Sequence, residues 1–151
     1  MFDKPVFDAH LHIIDHQYPL QPNEGYLPPS FTVADYKERV SALQLNVTGG
    51  AVVSGSFQGF DQQYLLAALK TLGPGFAGVT QIPASTTDDE IVALHKAGVR
   101  AVRFNVQRGG SESINHLEKM GRRVYDLVKW HVELYIDSRD RKSTRLNSSH
   151  S

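Results

Sequence analysis

Cysteine is absent from the 151-residue sequence, which excludes disulfides and any thiolate metal site, so a bound metal would have to use His and carboxylate ligands. No apolar run approaches the ~18–20 residues of a membrane-spanning helix, so no membrane partner is expected. The opening Met1-Phe-Asp-Lys-Pro5 lacks the apolar segment of an export signal, which points to a cytoplasmic protein. Net charge is lacking too. The 16 basic and 16 acidic residues cancel, leaving no basic field to attract nucleic acid. Four of the basic side chains (Arg139, Arg141, Lys142, Arg145) and one acid (Asp140) fall in 138–151, which leaves 12 against 15 in the rest of the chain. The body is therefore mildly acidic. No G-x-G-x-x-G follows a strand, so the Gly-rich phosphate turn of a dinucleotide fold is absent as well.

What is present begins with Val6-Phe-Asp-Ala-His10-Leu-His12-Ile13. In a strand, side chains alternate faces, so His10 and His12 point one way and Leu11 the other. Two imidazoles about 6–7 Å apart along a strand can converge on one metal ion or one carbonyl oxygen. Asp8 is expected on the same face, or as a cap at the strand's entry.

Beyond this strand, helix and strand patterns alternate. Thr32 with Asp35 three residues on marks a helix start, and Val33, Tyr36, Val40 and Leu43 fall on one helical face. Gly49-Gly50 break the pattern before the short strand Ala51-Val52-Val53. Asp61 is placed to cap a second helix striped by Tyr64, Leu65, Ala68, Leu69 and Leu72, which Gly73-Pro74-Gly75 end. Phe76–Ile82 reads as a third strand. Thr87-Asp-Asp-Glu90 is a capping box with acids on the positive end of its helix. Val99–Asn105 reads as a fourth strand. Ile114, Leu117, Met120, Val124 and Leu127 form a fourth helical stripe, and Trp130–Ile136 a fifth strand.

Five strands alternating with four helices imply βαβ units and a parallel sheet. Polar residues recur at the strand ends: His10 and His12, then Ser54, Ser56 and Gln58, then Gln81, Arg103 with Asn105, and Tyr135 with Asp137. That distribution is the one expected of a (β/α)8 TIM barrel, which assembles its site at the carboxyl ends of its strands. The fold class expected is thus α/β, a TIM barrel truncated to about five βα units, an open half-barrel over 1–137. The segment 138–151 has no periodicity and is expected to be a disordered, non-native tail in which His150 has no role.

Phe7-Asp-Ala-His-Leu-His12, Gly55-Ser-Phe-Gln-Gly-Phe-Asp61, Ala97-Gly-Val-Arg-Ala-Val-Arg-Phe-Asn105 and Trp130-His-Val-Glu-Leu-Tyr135 together resemble the amidohydrolase superfamily, in its lactonase-like branch typified by pyrone-dicarboxylate lactonases. The resemblance implies that His10 and His12 hold one divalent metal (Zn or Mn), or polarise a substrate carbonyl without a metal. It implies that Arg103 binds a substrate carboxylate and Arg108 a second one, and that Ser56 and Tyr135 contact substrate. A guanidinium suits the task, since its planar fork meets a carboxylate with two parallel hydrogen bonds. Arg108, in a Gly/Ser-rich loop, is equally suited to plain solvent exposure. The bridging lysine and strand-five histidine of two-metal members have no counterpart here, and His131 begins its strand at the opposite end. The family's general base, an aspartate on strand eight, is expected beyond residue 137.

The activity expected of the parent protein is hydrolysis of a lactone, or a related ester or amide, on a small carboxylated molecule. The alternatives are a metal-dependent decarboxylase of the same superfamily and a non-catalytic binding half-barrel.

Overall fold

A computed structural model describes residues 3–139; of the expected tail, 138–151, residues 140–151 lie outside the described residues. Five strands, β1 (Pro5–Leu11), β2 (Asn46–Val53), β3 (Phe76–Thr80), β4 (Val99–Asn105) and β5 (His131–Tyr135), alternate with α1 (Val33–Ala42), α2 (Gln63–Leu72), α3 (Asp88–Lys96) and α4 (Leu117–Val128). Two 3-10 turns, Ser56–Gln58 and Ile114–His116, precede α2 and α4. All neighbouring strands are parallel, in the order β1-β2-β3-β4-β5. The sheet curls into a half-barrel, as expected.

The helices α1 and α3 start where the sequence says they must. Thr32 accepts from the Asp35 amide while Asp35 accepts from the Thr32 amide, and Thr87 and Glu90 repeat the exchange. Each reciprocal pair satisfies two backbone donors that a helix N-terminus leaves open. The start of α2 differs. Its N-cap is Gln62, which makes no side-chain cap, and Asp61 stands one residue too early, with Oδ2 buried and unpartnered. Leu43 and Leu127, expected on apolar stripes, are exposed, because Leu43 lies past the end of α1 and Leu127 faces away in its last turn.

Two apolar clusters separate the faces of the sheet. On the helical side Leu11, Val52, Val102 and Phe104 pack with Tyr36, Leu65, Ile91, Val124 and Trp130. On the other side Val53, Val79 and Ala101 form a small cluster of their own, with Ala51 against it. Each large side chain fully buried on the helical side contributes about 1.5–3 kcal/mol, so that layer dominates stability. The inner face, built from small residues, leaves room for polar groups above it.

The strand β2 begins earlier than the sequence suggests, because Gly49 and Gly50 lie inside it. A side chain at either position would collide with backbone. A Cβ on Gly49 would strike the Gly75 carbonyl oxygen, and one on Gly50 would sit 2.8 Å from the Asp8 oxygen. Glycine here permits close approach of neighbouring chains and does not end the strand.

The second correction concerns Asp8. Between Asp8 and Leu11, β1 advances three residues while β2 advances two, from Gly50 to Val52. This extra residue is a bulge, which changes the face of the residues that follow it. Asp8 therefore joins Leu11 on the helical side, where its Oδ2 accepts from the Tyr36 hydroxyl at 2.8 Å. Its Oδ1 accepts from the His10 backbone amide at 3.3 Å, but its side chain does not join the imidazoles.

Gly49→Ala should destabilise the fold by about 1–3 kcal/mol, the cost of forcing a methyl group into a packed position. Gly75→Ala should do the same, because its Cβ would strike the Thr48 carbonyl oxygen. Denaturant unfolding of the two variants checks this, and wild-type midpoints for both would contradict the close-approach account.

Candidate functional site

Alternation along a strand and the end of the β-ladder together set the site. At the carboxyl rim of the sheet, His10, His12, Ser56, Phe57, Arg103, Asn105, Arg108 and Tyr135 line one pocket of about 300 Å³. All six residues expected at the site are among them. A larger groove of about 660 Å³ lies outside the barrel, between the start of α2 and α3, away from the histidines. It lacks their convergent nitrogen groups, so the chemistry points to the smaller pocket.

The bulge that turns Asp8 away leaves His10 and His12 side by side. Their rings stand edge to face with centroids 4.8 Å apart, and their Nε2 atoms approach to 3.2 Å. His12 Nδ1 lies 2.7 Å from the Val53 carbonyl oxygen. A carbonyl only accepts, so Nδ1 carries the proton and Nε2 of neutral His12 presents a lone pair. The short Nε2–Nε2 contact then requires His10 to donate. Desolvation lowers the His12 pKa; the Val53 carbonyl opposes this, and the nearby His10 and Arg103 add to the lowering.

Arg103 stands on the inner face of β4, only 7% exposed. Its Nη1 donates to the Ser54 carbonyl at 2.6 Å, and its guanidinium lies over the Tyr135 ring at 5.2 Å. Burial pulls its pKa down, while Glu133 and Tyr135 act the other way. Ser56 sits in the 3-10 turn after β2. Arg108 lies in the loop after β4, its amide held by Asn105 Oδ1 at 3.0 Å.

Other polar strand-end residues serve the framework. Ser54 Oγ pairs with the Tyr64 hydroxyl, and burial pushes that phenol's pKa up. Gln58 spans Gly55 N and Ile13 O. Gln81 Nε2 faces the carbonyl oxygens of Gly55, Gly59 and Gly110, tying the β2 and β4 loops together. His131 pairs with Glu133 at the amino end of β5, away from the pocket, as expected. One residue escaped sequence reasoning. Asn23, in the long β1–α1 loop, donates to Ser56 Oγ at 2.9 Å and to the Arg108 carbonyl at 3.3 Å. Its only signal was Asn-Glu-Gly, a turn former within a Pro-rich stretch.

A divalent ion in a tetrahedral protein site takes four ligands, or three with water. Among the described residues, no group of three or more His, Asp or Glu is gathered to hold a metal. His10 and His12 supply two nitrogen atoms, beside a guanidinium that opposes positive charge. By themselves these residues do not make a metal centre.

A parallel, helix-backed sheet with its polar pocket at the carboxyl rim has the architecture of a (β/α)-barrel enzyme. The amidohydrolase family matches residues 7–137. The chain belongs to that family. It is 30% identical over 139 residues to a 2-pyrone-4,6-dicarboxylate hydrolase of Comamonas testosteroni, covering 88% of this chain and 44% of that protein. It is 24% identical over 136 residues to a D-galactarolactone isomerase of Agrobacterium fabrum, covering 90% and 46%. A crystal structure of a probable 2-pyrone-4,6-dicarboxylic acid hydrolase from Acinetobacter baumannii, with citric acid bound, superposes with a TM-score of 0.72 at 27% identity, over 86% of this chain and 49% of that one. The chain thus spans less than half the length of the curated relatives it matches. No helix among the described residues is long and apolar enough to cross a membrane.

Because its folded pKa is depressed, His12 should be neutral at pH 7. Its contribution to stability is present above the ordinary imidazole value of 6.5 and lost as pH falls through the lowered one. An NMR titration should place its midpoint below 6.5, and Arg103→Met should raise that midpoint by removing one opposing cation. A normal midpoint, indifferent to Arg103, would contradict this electrostatic picture.

Proposed function

We propose that the protein bearing this chain opens a lactone of a small, carboxylated molecule by attack of water on the ring carbonyl. One observation carries the reading: a histidine pair and two arginines line the same 300 Å³ pocket. A lactone dicarboxylate needs both kinds of group, one at the carbonyl and one at each carboxylate. The relative that hydrolyses a pyrone dicarboxylate and the citrate in the related crystal structure support carboxylated ligands of this class.

In this reading Arg103 and Arg108 hold the substrate carboxylates, and Ser56 and Tyr135 add hydroxyl contacts. Charge-assisted hydrogen bonds of this kind are about twice as strong as neutral ones. His10, the donor of the pair, turns its Nε2 proton to the carbonyl oxygen and stabilises the charge that develops there. His12, neutral and fixed by Val53, accepts from His10 in the resting site and sets its orientation. The inner face of small residues leaves the ring space above the sheet. A general base that deprotonates water is supplied by none of these groups in their assigned roles.

Arg103→Met should raise KM for a dicarboxylated lactone by about 10–100-fold, the worth of a hydrogen bond to a charged group, with a smaller effect on kcat. Steady-state kinetics with product analysis checks it. A ring-opened acid is the expected product; released CO2 would favour a decarboxylase, and a rearranged lactone an isomerase like the Agrobacterium relative. Unchanged KM would remove Arg103 from carboxylate binding.

A further inference from the structure

The β1–α1 loop reaches across the rim and ends its excursion at a tight turn. Asn23 and Tyr26 exchange backbone hydrogen bonds at 2.9 and 3.0 Å, and the two residues between them, Glu24 and Gly25, both have positive φ. This is the two-residue hairpin geometry that suits Gly at its second position. The turn is seated on the 3-10 segment after β2: Gln21 N donates to Phe57 O at 2.7 Å, Gln21 Nε2 to Ser56 O, and the Tyr26 and Phe57 rings meet edge to face. The Asn23 side chain is thereby delivered to a fixed place between Ser56 and Arg108.

Its two contacts determine the direction of one proton. The Arg108 carbonyl can only accept, so the Asn23 atom facing it is the nitrogen, Nδ2. That same nitrogen faces Ser56 Oγ at 2.9 Å, so Ser56 accepts there. The Ser56 hydroxyl proton is left to be given elsewhere, and Ser56 lines the pocket. The second amide proton ties down the peptide of Arg108. Gly110 packs against the Ser56 backbone, where a Cβ would come within 2.6 Å of the Ser56 carbonyl oxygen, so the two loops are pressed together as well as bridged.

We propose that Asn23 is a positioning residue that sets the pocket's preference for anionic over neutral substrates. It holds the Ser56 hydroxyl as a donor toward a bound carboxylate and keeps the Arg108 loop at the same rim. This inference rests on the carboxylated-lactone reading above and goes beyond it by naming what fixes the polarity of the anion site. An aspartate at position 23 has nearly the same shape and the opposite hydrogen-bonding character. It would accept the Ser56 proton, turn that donor away from the pocket, and lose the bond to the Arg108 carbonyl.

The test uses the whole protein that carries this chain, with citrate as the binding probe and a dicarboxylated pyrone and its dimethyl ester as substrates. Asn23→Asp should weaken citrate and raise KM for the dicarboxylate about tenfold or more, the loss of one hydrogen bond to a charged group, while KM for the neutral ester stays unchanged. Asn23→Ala should cost less, about threefold, because the Ser56 proton stays free to rotate toward the ligand. In a Ser56→Ala background the Asn23→Asp loss should shrink, since coupled residues are not additive. Equal losses on the charged and neutral substrates, or full additivity with Ser56→Ala, would overturn the proposal. The arms also separate the two levels of argument. If Arg103→Met weakens citrate and Asn23→Asp does not, the positioning role alone falls; if neither does, the carboxylate reading falls with it. Unfolding midpoints of both Asn23 variants identify any loss that is merely structural, and Asn23→Ala keeps the test open if Asn23→Asp fails to fold.

Discussion

Two consecutive carbonyls, those of Val53 and Ser54, carry the geometry of the rim. Val53 is the last residue of β2, and Ser54 follows it with its amide still bonded to the Val79 carbonyl. Past that point the chain leaves the ladder, and a carbonyl that loses its strand partner needs another donor. His12, coming from β1, meets the first carbonyl; Arg103, coming from β4, meets the second. A backbone requirement of the parallel sheet therefore fixes the tautomer of the imidazole and the direction of the guanidinium together. The Ser54 hydroxyl, bonded to Tyr64 of α2, holds this segment to the helical layer.

The electrostatic consequence is a buried cation without a full counter-charge. Arg103 is almost wholly buried, and its hydrogen-bond acceptor is a neutral carbonyl. Burying a charge without a full counter-charge costs free energy. Glu133, beside it on β5, offsets part of that cost, and the Tyr135 ring contributes a cation–π contact. In the proposed function a substrate carboxylate supplies the rest. The same field discourages a second positive charge on His12, which keeps that ring neutral and its Nε2 able to accept the His10 hydrogen bond.

Two amide side chains bridge the rim loops from different levels. Gln81, fully buried, uses its amide nitrogen to bind the β2 and β4 loops from beneath. Asn23 joins them from above, in the half of the rim that faces solvent. Neither group is near its partners in sequence: Gln81 lies 26 residues from Gly55, and Asn23 lies 85 from Arg108.

Local chemistry explains why so much of the fold was legible in the chain. Thr32 and Thr87 start helices because a side-chain oxygen at that position satisfies a backbone donor within its own turn. The alternation of Val102 and Phe104 with Arg103 and Asn105 fixes the two faces of β4, since side chains on a strand have a period of two. From these the parallel sheet and the rim bearing His10, His12, Ser56, Arg103 and Tyr135 follow, whereas Arg108, in a loop, was reached only through the family resemblance. What the chain could not reveal depends on groups that meet only after folding. The bulge that sends Asp8 to Tyr36 is a shift of register between β1 and β2, which exists only once the two strands are laid together. Gly49 belongs to a strand because the Gly75 backbone presses against it, a contact between distant turns. Asn23 escaped the sequence reading because its partners, Ser56 and the Arg108 carbonyl, meet it only once the hairpin is laid across the β2 and β4 loops. Sequence determines the period of a strand and the cap of a helix because those interactions close within a few residues. Tertiary structure decides which carbonyl meets which side chain, because those partners are brought together by the curl of the sheet.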